Sequence, residues 1–124
     1  MTNIDDFIKK AIVIDSVKLV SASLKNMGHE ALRDIADALK TKLGSGIIVL
    51  GSVKDNKVCL VTAVTSDLVS KGLHAGMIIK EIAQITGGSG GGRPDMAQAG
   101  GKDVSKLAQA LKQVPEIIRK GINA

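Results

Sequence analysis

The chain has 124 residues, 44% hydrophobic and 23% charged, which suits one domain with a real core and argues against global disorder. Phe7 is its single aromatic residue, so the stacking platform that commonly grips single-stranded nucleic acid is missing. A net charge of +5 favours an anionic partner, and any nucleic-acid contact would then rest on phosphates and shape.

The charge is unevenly spread. Residues 1–37 hold six acids and five bases, whereas 38–124 hold twelve bases and six acids. Cys59 has no partner for an internal disulfide and sits in an apolar run, as a buried thiol would. Asp5 and Asp6 interrupt the N-terminus, so no signal peptide is expected. No apolar run approaches the ~20 residues needed to cross a bilayer, and the expected setting is the cytoplasm without a membrane partner.

Ile4, Phe7, Ile8, Ala11 and Ile12 recur at helical spacing, predicting a helix over 3–14 capped by Thr2 or Asn3. Residues 1–15 thus read as an N-terminal helix, the end of a longer linker helix being one reading of it, and 16–124 as the globular domain. Val17 to Ser23 alternates with period two and predicts a strand. Gly28 to Leu43 predicts a helix with Leu32, Ile35, Ala36, Leu39 and Leu43 inward, a solvated Arg33–Asp37 pair, and Gly44 as C-terminal cap. Gly46–Val53 and Val58–Thr65 are nearly unbroken apolar runs around Lys54-Asp55-Asn56-Lys57, predicting a hairpin of strands buried on both faces. A short helical turn over Ser66–Leu73 leads to a helix over Ala75–Ile85, with Met77, Ile78, Ile82 and Ile85 inward. Asp103 caps a last helix through Gln113, which Pro115 breaks or restarts. The fold class is therefore α/β (α+β): a small mixed sheet with a hairpin, helices packed on it, and a glycine-rich loop between two helices.

That loop is Gly87 to Gly101, GGSGGGRPDMAQAGG, with seven of the fourteen glycines. Ordering so many glycines costs backbone entropy, which a domain accepts where the chain needs positive φ or where amides must approach something closely. A flexible linker is the bland alternative, but linkers of that kind are usually Gly/Ser repeats, and this stretch carries Arg93, Pro94, Asp95, Met96 and Gln98.

Several chemistries fail on residue type. A phosphate-cradling nucleotide loop needs Gly-Lys-Ser/Thr where Arg93-Pro94 stands, and the dinucleotide pattern lacks its third glycine at Arg93. Gly87–Gly90 matches a GxxG clamp for RNA, a weak signal in the wrong element order. His29 and His74 are isolated, more readily helix-end or surface residues than ligands, and nothing supplies a nucleophile with an adjacent base. No cofactor, metal or catalysis is expected of this chain alone.

The Gly87–Gly101 segment, with Arg-Pro-Asp and a glutamine before paired glycines, closely resembles the signature of the DHH-associated domain in its alanyl-tRNA synthetase form. Leu32-Arg33, Ile48-Val49-Leu50-Gly51 and His74-Ala75-Gly76 extend the match over roughly 16 to 120. Phosphoesterases sharing this domain typically carry a histidine where Arg93 stands, which favours the synthetase branch. The resemblance implies a tRNA-binding C-terminal module, with alanine tRNA as partner, that engages the outer corner of the L and helps present one tRNA to the aminoacylating and editing domains. The parent enzyme would use ATP, magnesium and zinc. The substrate-binding domain of a DHH phosphoesterase and a dimerisation module using the N-terminal helix are the alternatives.

For the site, amides freed by Gly90, Gly91 and Gly92, the glutamine Gln98, and the bases Arg93, Lys102 and Lys106 are expected to form an anion-favouring concavity with the last helix's N-terminus. Under the competing reading the glycines only permit tight packing and the charges are solvated.

Overall fold

The computed structural model describes residues 4–123. Its elements are α1 (Ile4–Lys9), β1 (Ile12–Ile14), β2 (Val17–Lys25), α2 (His29–Leu43), β3 (Ile47–Lys54), β4 (Lys57–Val64), α3 (Ser66–Val69), α4 (Ala75–Ile85), β5 (Ser89–Gly92), β6 (Met96–Gly101) and α5 (Leu107–Ile122), with a 3-10 turn at Val104–Lys106. Six strands form one sheet in the order β1-β2-β3-β4-β6-β5. Only β2 and β3 run parallel, joined through α2 as a parallel pair requires.

The sheet divides two cores. Alternate residues of β3 and β4 point to opposite faces: Ile47, Val49, Leu60 and Val64 join one cluster, and Ile48, Leu50, Val61 and Ala63 the other. Residues of α4 and α5 (Ile79, Ile82, Val114, Ile118) cover the first face, and Leu32, Ala36 and Leu39 of α2 the second. The apolar runs of β3 and β4 are therefore continuous because both sides of each strand are buried. Asp55 and Asn56, with φ of 52° and 62°, make the two-residue turn between them. On α4, Ile79 is fully buried while Met77 is 66% exposed, contrary to the inward place expected for Met77.

Three elements differ from expectation. The helix expected over 3–14, and with it the 1–15 segment, is helical in its described part only over Ile4–Lys9; Ile12–Ile14 pairs with β2 around a turn at Asp15 and Ser16, whose φ values are 48° and 73°. Ile12 at helical spacing concealed that turn, since neither turn residue is glycine. The Thr2 or Asn3 cap lies outside the described residues. The last helix does not break at Pro115 but runs to Ile122. Proline removes one bond to the Leu111 carbonyl, and the buried Val114, Ile117 and Ile118 around it hold the helix continuous. The third difference is the largest. The expected glycine loop is an antiparallel hairpin, β5 against β6, and it completes the sheet through pairing of β6 with β4. Side-chain patterning gives no strand signal in Ser-Gly-Gly-Gly, so this strand exists through its pairing partner alone.

Candidate functional site

The hairpin's glycines differ in what holds them. A Cβ on Gly88 would collide with the Gly100 backbone, one on Gly90 with Ala99, and one on Gly101 with Thr86. At Gly92 it would stand 2.8 Å from the Ala97 Cα. Gly91 is open: its Cβ position meets only the Lys80 Cε at 3.5 Å, and its φ is not positive. The stretch is thus mostly a close-packing device. Gly87 alone combines the left-handed φ of 69° with the turn from α4 into β5. Gly76 completes the seat, because a Cβ there would lie 2.8 Å from the Gly92 carbonyl oxygen, and the neighbouring Ala75 amide donates to Pro94 O at 2.8 Å.

At the far end of α4 the Thr86 carbonyl accepts from the Lys102 amide at 3.0 Å and the Asp103 amide at 2.9 Å. Asp103 caps the 3-10 turn before α5, accepting from the Ser105 amide at 3.1 Å and its hydroxyl at 2.5 Å. Both histidines stand where helices begin, His29 as the first residue of α2 and His74 as the cap of α4. His74 Nδ1 accepts from the Met77 amide at 3.2 Å, and His29 Nε2 donates to Ala99 O at 2.7 Å. Among the described residues no group of three or more His, Cys, Asp or Glu side chains is placed to hold a metal ion.

The expected site residues are not one concavity. Gly91, Gly92, Arg93 and Gln98 share a shallow cleft of about 380 Å³ with Arg33 of α2. Gly90 pairs with Ala99 behind it. Arg93 is 76% exposed and its Nε lies 3.4 Å from the Asp95 carboxylate. Lys102 and Lys106 stand at the opposite end of β6, about 20 Å away by the length of a six-residue strand. Arg33 lines this cleft rather than pairing with Asp37. Beside the cleft lies a second, of about 330 Å³, where Glu30, Asp34, Asp37 and Asp95 outnumber Arg33, Lys40 and Arg93. The hairpin tip therefore carries no positive excess.

The positive excess lies where Lys102 lies, and sequence reading missed it. Lys25 ends β2 beside Val53, Lys54 is the cross-strand partner of Lys57, and Lys102 follows Gly101, the partner of Val58. Register thus brings lysines from three separated stretches to one end of the sheet, with Lys106 just beyond. All five are exposed, and none forms an ion pair with another described residue.

A six-stranded mixed sheet with helices on both faces and this glycine hairpin against α4 defines a domain class: the family model for the DHHA1 domain matches residues 16–120, and the chain belongs to that family. Within it the chain is of the alanyl-tRNA synthetase C-terminal type. It is similar to the C-Ala domain of Aquifex aeolicus alanyl-tRNA synthetase, with a TM-score of 0.80 and 30% identity over 89% of this chain and 98% of that one. It is 54% identical, over 94% of its length, to the alanine–tRNA ligase of Acetivibrio thermocellus, and 48% identical over 97% to that of Natranaerobius thermophilus. The chain spans only 13 to 14% of those relatives. A pGpG-specific phosphodiesterase from Vibrio shares the fold alone, at 15% identity and a TM-score of 0.52.

Proposed function

We propose that this chain is a tRNA-binding module of an alanine–tRNA ligase. Its likeness to the C-Ala domain over nearly the whole of that domain carries this reading. The parent would be an ATP-dependent ligase of the cytoplasm, using magnesium and zinc in other domains. The module would hold alanine tRNA at its outer corner so that one bound molecule reaches both the aminoacylating and the editing site. The surface chemistry supports this division of labour: the chain is basic, and with one aromatic residue it has no base-stacking face, so charge and shape must carry recognition.

Anisotropy titration of the 124-residue chain with a folded tRNA transcript and with a poly-pyrimidine strand of equal length tests the proposal. The tRNA should bind more tightly, and its affinity should fall steeply with salt. Equal affinity for the two would remove shape recognition from the account.

A further inference from the structure

We propose, resting on that reading, that the lysine row at one end of the sheet, rather than the glycine hairpin's tip, is the surface that grips the RNA phosphate backbone. Lys25, Lys54, Lys57 and Lys102 belong to or adjoin four neighbouring strands, so the row runs about 14 Å across their ends, and Lys106 extends it. Asp55 and Asp103 share this end, as does Glu30 in the first turn of α2, whose cap residue Gly28 adjoins the Lys54 ammonium; Asp103 is already engaged with Ser105. Five lysines against three acids leave +2 of the chain's +5 in this one place.

The pairing of Lys54 with Lys57 points the same way. Like charges directly opposite on adjacent strands are destabilising, and no salt bridge among the described residues offsets the pair. Such a pair becomes favourable once a polyanion lies across it. The surface suits nucleic acid better than a lipid headgroup layer, because among the described residues the exposed large hydrophobics, Ile12, Val13 and Met77, lie toward the other end of the sheet and none adjoins the row. The hairpin tip offers no such excess, since Arg33, Lys40, Arg93 and Lys80 there are matched by Glu30, Asp34, Asp37 and Asp95.

If each lysine neutralises one phosphate, the slope of log affinity against log salt is about −4. The triple variant Lys54→Gln, Lys57→Gln, Lys102→Gln should bring it to about −1.5 and weaken tRNA binding at least tenfold near 0.1 M salt. A control variant, Lys40→Gln, Lys71→Gln, Lys112→Gln, removes the same net charge elsewhere and should keep a slope near −4. Thermal midpoints measured alongside show that both variants fold. Equal loss in the two variants, or an unchanged slope in the row variant, overturns the row as the contact surface while leaving tRNA binding intact. Tighter binding to phosphatidylserine vesicles than to tRNA overturns the choice of nucleic acid. Failure of the unmodified chain to bind tRNA at all overturns the module reading itself.

Discussion

Thr62 provides a direct test of the packing described above. It lies on central strand β4, between Val49 of β3 and Ala97 of β6, on the face covered by α4 and α5. Its side chain is fully buried, and its Oγ1 has no hydrogen-bond partner. The other three buried polar side chains are satisfied: Ser52 accepts from the Met27 amide, Thr65 accepts from the Gly46 amide, and Thr86 donates to Ala83 O. Unfolding hydrates the Thr62 hydroxyl, so folding bears its desolvation cost of about 1–3 kcal/mol. Valine has nearly the same shape and exchanges the hydroxyl for a methyl group that gains from burial. Thr62→Val should therefore raise stability by about 1–3 kcal/mol, or roughly 4–12 °C in Tm for a domain of this size. Urea unfolding should show a higher midpoint at unchanged slope. Thr62→Ser keeps the hydroxyl and loses the methyl, so it should be less stable than the parent. A valine variant no more stable than the parent would mean that the hydroxyl has a partner, and the reasoning would fail.

Two further predictions follow from neighbouring observations. Gly90→Val should destabilise by about 3 kcal/mol or more, because its side chain must displace Ala99, whereas Gly91→Ala should cost less than about 1 kcal/mol; chemical denaturation of the pair separates a packing role from a general need for glycine. Hydrogen bonds from Ser45, and secondly from Thr65, hold the Asp67 carboxyl below the usual carboxylate range. A depressed pKa in the folded state gives stability that is present above about pH 4 and is lost as pH falls through the folded value. Ser45→Ala should shift the start of acid unfolding to higher pH while leaving neutral-pH behaviour of other sites unchanged; an identical acid limb in the two proteins would refute the linkage.

Local patterning made part of this molecule readable. The bounds of α2 and α4 followed from apolar spacing and from Gly44, and the β3–β4 hairpin from two apolar runs around a polar turn. The turn at Asp15 and Ser16 escaped notice because it uses left-handed residues that are not glycine. β5 escaped because a strand of glycines has no alternation to detect, and its existence depends on β6 lying against β4. The site was less legible than the fold for a related reason. Arg93 and Lys102 are near in sequence but are held at opposite ends of a strand, while Lys25, Lys54 and Lys102 are distant in sequence and meet through strand register. Nothing in the linear order of charges distinguishes those two cases.

The glycine hairpin also has a consequence for the order in which the chain assembles. β5 has no apolar side chain to drive its own collapse, and β6 buries only Ala97, Ala99 and Gly101. The restraints on the pair come from outside it: the β4 ladder, the Val64 amide on Asp95, the Ala75 amide on Pro94, the His29 ring on Ala99, and the Lys102 and Asp103 amides on Thr86. The pair therefore gains its contacts from β4, α4 and α2 rather than from its own side chains. Loop closure around so many glycines costs entropy that those contacts must offset. β3, β4 and α2, with large aliphatic side chains on paired faces, have the means to form first. The segment most distinctive in sequence thus owes its place to contacts supplied by the rest of the sheet and its helices, not to apolar side chains of its own.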